Sequence, residues 1–90
     1  MTTIYKYPVQ VSDEFTISMP PDAKLLTVQT QGGSPFIWAL VDVGEDPVVR
    51  RFALRGTGHD CAGLGSATYV GTFQMRSGAV VFHLFDMGVA

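Results

Sequence analysis

The chain reads as an all-β protein, a small antiparallel barrel or sandwich of about seven short strands. Three observations carry that expectation. No window sustains apolar residues at i, i+3, i+4 and i+7, the spacing an amphipathic helix needs. Glycine or proline interrupts the chain about every dozen residues. Between the interruptions, short segments rich in Val, Phe, Tyr and Thr alternate apolar with polar residues, as half-buried strands do.

The elements follow in order. Thr3 to Tyr7 is a first strand, which Pro8 ends or marks as an edge because proline cannot donate to a ladder. Val9 and Val11 continue past a bend, and Ser12-Asp13-Glu14 is a polar turn. Phe15, Ile17 and Met19 alternate with Thr16 and Ser18 until Pro20-Pro21-Asp22 stops the strand. Leu26, Val28 and Thr30 alternate with Thr27, Gln29 and Gln31. Gly32-Gly33-Ser34-Pro35 then reads as a hairpin loop.

Phe36 to Val43 is apolar on both faces until Asp42, the mark of a central or covered strand. Gly44-Glu45-Asp46-Pro47 is expected to turn the chain back, so that Val48 to Arg55 pairs beside it. On that strand Arg50, Phe52 and Leu54 point one way, and Arg51, Ala53 and Arg55 the other. Gly56 to Ala67 is a loop of small residues without helix length. Thr68 to Met75 is a strand whose Gly71 signals a bulge or a close backbone approach. Arg76-Ser77-Gly78 is a tight turn, and Ala79 to Phe85 is a last strand, apolar on both faces except for His83.

Ninety residues make one domain with a thin core. The hydrophobic fraction of 47% is ordinary, but the 16% of charged residues is low, so apolar side chains are left to face water or a partner. A homodimer or higher oligomer is therefore expected. A net charge of −2 argues against general nucleic-acid binding, which depends on neutralising several phosphates. Cys61 is the only cysteine, so no intrachain disulfide and no cysteine-based zinc site is expected. The opening MTTIYKYPVQ lacks the pattern of a signal peptide, and no apolar run reaches the ~20 residues that span a bilayer. A soluble, cytoplasmic protein is the expectation, without membrane contact, cofactor or metal.

Taken together, IYKYP, PPDAKLLTVQTQGG, FIWALVD, GTGH, and YVGTFQ followed by GAVVFHLF resemble a family of small phage and prophage proteins of unknown function. The resemblance runs from Ile4 to Phe85. It brings no catalytic residue, cofactor or activity. It implies a compact β protein encoded by a phage or mobile element, of the kind that binds and blocks a host machine, host defence systems included.

Candidate functional residues concentrate between Pro35 and His59, with their neighbours Asp60 and Cys61. Phe36, Trp38, Arg50, Arg51 and Arg55 are the residue types that anchor protein interfaces, and arginine also clamps phosphate or carboxylate. The alternative puts Trp38 in the core and the arginines on a solvated face. In Gly56-Thr57-Gly58-His59-Asp60-Cys61, glycine-flanked amides and an imidazole suit an anion, with Arg51 and Arg55 near in sequence. The alternative is a glycine bulge with a surface histidine. His59, Asp60, Cys61 and His83 lack the spacing of a metal site, and no third group orients Cys61 with a histidine as a nucleophile. His83 is expected to pack with its ring on a backbone partner.

Catalysis is thus not expected. The leading expectation is a non-catalytic phage or mobile-element accessory protein that binds a host protein and inhibits a defence system. The alternatives are a nucleotide-sequestering binder, using the GTGH loop and the arginines, and a minor phage structural protein.

Overall fold

A computed structural model describes all 90 residues. Seven strands form: β1 (Thr2–Pro8), β2 (Glu14–Met19), β3 (Lys24–Gln31), β4 (Ser34–Asp42), β5 (Val48–Gly56), β6 (Thr68–Met75) and β7 (Val80–Val89). A 3-10 turn at Arg76–Gly78 joins the last two, and there is no α-helix. No helix is therefore long and apolar enough to cross a membrane.

The strands build two antiparallel sheets. Sheet A has the order β1-β4-β3, and sheet B the order β2-β5-β7-β6. The two doubly apolar segments, β4 and β7, are both interior strands, as their composition requires, and β5 is the third. Both ladders of β4 are filled, by β1 and by β3, which leaves no edge for β5. The expected hairpin between Phe36–Val43 and Val48–Arg55 is therefore absent. The Gly44–Pro47 segment instead carries the chain from sheet A to sheet B, where β5 lies between β2 and β7.

The sheets close along one side only, and there by packing without a shared ladder, so the molecule is a sandwich and not a closed barrel. On the closed side β3 runs against β6. Thr30 Oγ1 donates to the Gln74 carbonyl at 2.7 Å, and a Cβ on Gly71 would lie 2.9 Å from Val28 Cγ1. Gly71 serves both expected purposes, since the β6–β7 register also shifts between Tyr69 and Gly71. On the other side no ladder joins β1 to β2.

Between the sheets lie Val28, Ile37, Ala39 and Val41 from sheet A and Phe15, Met19, Phe52, Leu54, Phe73 and Leu84 from sheet B. Phe15 stacks on Phe52 at 5.4 Å and Phe73 tilts against Phe82 at 5.7 Å. Each of these side chains larger than alanine contributes about 2 kcal/mol by leaving water. Only 16 of the 90 residues are buried, so much apolar surface remains on the outer faces.

Two further register shifts overturn strict alternation. In β3 the shift between Leu25 and Thr27 makes Leu26 a bulge residue, 44% exposed rather than inward with Val28. In β7 the strand continues past Phe85 to Val89. Met87 bulges there opposite the Arg51–Phe52 step, with Gly88 at a φ of 90°.

Candidate functional site

The three arginines of β5 are held, each in a different way. Arg50 meets Asp86 of β7 through two nitrogens, Nη2 to Oδ2 at 2.5 Å and Nε to Oδ1 at 3.2 Å. Its Nη1 donates to the Ala23 carbonyl at 2.6 Å. The pair is 17% and 14% exposed, so this fork clamps the β2–β3 connection onto sheet B rather than offering charge to a ligand. Arg51 makes a loose, exposed pair with Glu14 at 3.6 Å, worth little. Arg55 gives Nη1 to the carbonyls of Asp13 and Leu54 and Nη2 to that of Ala62, fastening two loops to the end of β5.

The glycine loop is pinned at two of its amides. The Thr57 amide donates to Val81 O at 3.2 Å, and the His59 amide to Gly56 O at 3.0 Å. The His59 ring folds so closely over Gly56 that a Cβ there would stand 2.6 Å from Nδ1. Asp60 Oδ1 accepts from the Ala62 amide at 3.0 Å, and Cys61 is exposed. A cleft of about 510 Å³ lies beside this loop, with Asp13 and Asp60 in its wall along with Arg55 and His59. Carboxylates on the rim and an arginine committed to three carbonyls give this cleft little pull on an anion.

His83 departs from expectation. Its ring takes two hydroxyl partners, not a backbone group: Thr57 Oγ1 at 2.7 Å from Nε2 and Thr72 Oγ1 at 2.8 Å from Nδ1. Tyr69 OH extends the chain to Thr72 at 2.7 Å. These four side chains tie β7, β6 and the loop after β5 together on the solvent face of sheet B. No three His, Cys, Asp or Glu side chains converge as metal ligands would.

Phe36 and Trp38 lie elsewhere. They stand half-buried on the solvent face of sheet A, ring to ring at 6.1 Å. Because β4 and β5 belong to different sheets, the expected joint surface of Phe36, Trp38 and the arginines does not form. What forms instead is an apolar row along β4, Phe36-Trp38-Leu40, flanked by Ile4 and Lys6 on β1 and by Lys24 and the bulged Leu26 on β3. Ile4 is 55% exposed and Leu40 37%. Lys6 lies 4.5 Å above the Phe36 ring and donates to Gln31 Oε1 at 3.0 Å.

Both lysines of the chain thus sit on this face, and neither is in an ion pair with a carboxylate. A reading of the sequence misses Ile4, Lys6, Lys24, Leu26 and Leu40 as surface partners of Trp38. The alternation of β1 puts Ile4 and Lys6 on one face, but which strand lies beside Trp38 is a long-range fact.

A family model for a domain of unknown function, DUF7352, matches residues 1–89. The chain belongs to this family. No curated protein and no solved structure matches it. In this DUF7352 chain the match spans both sheets, so the face around Trp38 and the loop around His59 are both parts of the family domain.

Proposed function

We propose that the protein is a non-catalytic binding module that engages another protein through the solvent face of sheet A. The observation that carries this reading is the apolar row Phe36-Trp38-Leu40, widened by Ile4 and Leu26, on a face that also holds both lysines. Three strands about 4.8 Å apart make an apolar strip of a few hundred Å². That is the size of patch that monomers reserve for function and of the central part of a standard interface. Trp38 supplies the kind of anchor that dominates such interfaces. The fitting partner is a protein surface with an apolar centre and carboxylates at its rim, opposite Lys6 and Lys24. The resemblance to small phage proteins supports the finer reading, a mobile-element accessory factor whose partner belongs to the host and to its defence.

The test uses the chain expressed in its own cellular background. Leu40→Asp, Trp38→Ala and the double charge reversal Lys6→Glu with Lys24→Glu are each expected to lose the partner retained by the parent chain. Arg51→Glu and Thr72→Ala, on sheet B, should retain it. Loss on the sheet B variants with retention on the sheet A variants would overturn the proposal.

A further inference from the structure

We infer that the free edge of β1 pairs with β1 of a second copy, in an antiparallel register centred on Ile4. The backbone shows which groups are available. Val43 N donates to Met1 O at 2.9 Å and Val9 N to Pro35 O at 3.0 Å. Those bonds bracket the β1–β4 ladder, whose register is unbroken from Thr2–Asp42 to Pro8–Phe36. Bonded pairs alternate along an antiparallel ladder, so Thr3, Tyr5 and Tyr7 commit their amides and carbonyls to β4. Thr2, Ile4 and Lys6 direct theirs outward, where no strand pairs with them. Pro8 falls in the outward set, and its missing N–H is on the free edge.

Natural edges are blunted by bulges, inward charges or cover. The β3 and β6 edges are bulged and face each other. The β2 edge carries only Glu14, Thr16 and Ser18 on its solvent face and runs into Pro20-Pro21. β1 has no bulge, and beside its edge Ile4 and Tyr5 are exposed.

Self-pairing selects one register. Centred on Ile4, each outward residue exchanges both backbone bonds with its opposite number: Ile4 with Ile4 of the second copy, and Thr2 with Lys6 in both directions. Pro8 then lies beyond the ladder, where its missing donor forfeits no bond. Centred on Tyr5, Thr2 would face Pro8 and lose a bond on each side. Centred on Lys6, two ammonium groups would stand opposite each other, which is destabilising. In the Ile4 register, the row holding Lys6 and Thr2 of the second copy continues to Asp42 of that copy. Opposite charges share a row and like charges face nowhere. The neighbouring row, Leu40-Ile4 from one copy and Ile4-Leu40 from the other, joins the two apolar strips into one surface.

Two measurements on the isolated chain test this. Sedimentation equilibrium should show mass rising with concentration from 9.7 kDa toward twice that value. Amide exchange should show Ile4 and Lys6 becoming protected as concentration rises, with Tyr5 and Tyr7 protected throughout. Ile4→Lys, at an exposed site, should weaken association at least tenfold, while Leu26→Lys, on the same face but the far strand, should leave it within about twofold. A chain monomeric at millimolar concentration would overturn the inference. So would a dimer in which Ile4 and Lys6 still exchange freely, or one equally sensitive to both variants. The proposed partner face would survive such a result, since it needs only one copy.

Discussion

Gly71→Ala probes the closed side of the sandwich. The added methyl would lie 2.9 Å from Val28 Cγ1, against an ordinary carbon–carbon contact of ~3.5–4.0 Å. Val28 is buried and β-branched, so it cannot swing away. Overpacking of this kind costs about 1–3 kcal/mol. Replacing glycine within a strand returns about 0.5–1 kcal/mol, because the unfolded chain has less freedom to lose. The net expectation is a loss of about 1–2 kcal/mol, or a fall in Tm of roughly 5–15 °C for a domain this small. Val28→Ala alone should cost about 2 kcal/mol through the cavity it leaves. In that background the methyl added by Gly71→Ala finds room, and the second substitution should be neutral or stabilising. Urea denaturation of the four proteins completes the double-mutant cycle. A Gly71→Ala effect equal in both backgrounds, within about 0.5 kcal/mol, would refute a seam formed by β3 against β6.

Three other perturbations have expected outcomes. Asp86→Ala leaves the Arg50 guanidinium mostly covered without its carboxylate and should cost about 2–3 kcal/mol in urea denaturation; the partial exposure keeps it below the fully buried case. Tyr7 has a buried hydroxyl with no partner, so Tyr7→Phe should leave stability unchanged or raise it by about 1 kcal/mol. Burial first, and the neighbouring Tyr5 phenol second, raise the Tyr7 pKa above 10.0. The fold therefore favours the neutral phenol: its contribution is intact below the unfolded value and lost as pH rises through the folded one. Melting curves should show an alkaline loss in the parent that is smaller in Tyr7→Phe. Finally, mono-, di- and cyclic nucleotides at millimolar concentration should not shift the melting temperature, because Arg55 is committed to three carbonyls and Asp13 and Asp60 line the cleft; a clear shift would revive the anion reading.

The local pattern carries the fold class. Two of the three interior strands, β4 and β7, announce themselves by apolar residues on both faces, whereas β5, with Arg51 and Arg55 on its outer face, does not. The pairing of those strands is less legible. Phe36–Val43 and Val48–Arg55 look like hairpin arms because a short turn joins them. β4 is nonetheless claimed on both sides by β1 and β3, and nothing within the turn encodes that competition. Leu26 shows a second limit: one bulge residue reverses the face of everything before it, and no glycine marks the place. Arg50 shows a third. Its partner Asp86 lies beyond Phe85, the expected end of the final strand, so a clamp that positions the β2–β3 connection passes for a free surface cation. Trp38 is legible as a candidate anchor, whereas its companions come from strands distant in sequence.

The most direct test of a binding face on sheet A is site-specific photo-crosslinking in the cell that encodes the chain. A photoreactive residue would replace Leu40 on sheet A in one protein and Thr72 on sheet B in another. The Leu40 position should yield one discrete crosslinked protein, and Lys6→Glu with Lys24→Glu should abolish it. A discrete product from the Thr72 position, with none from Leu40, would contradict the assignment of sheet A as the working surface.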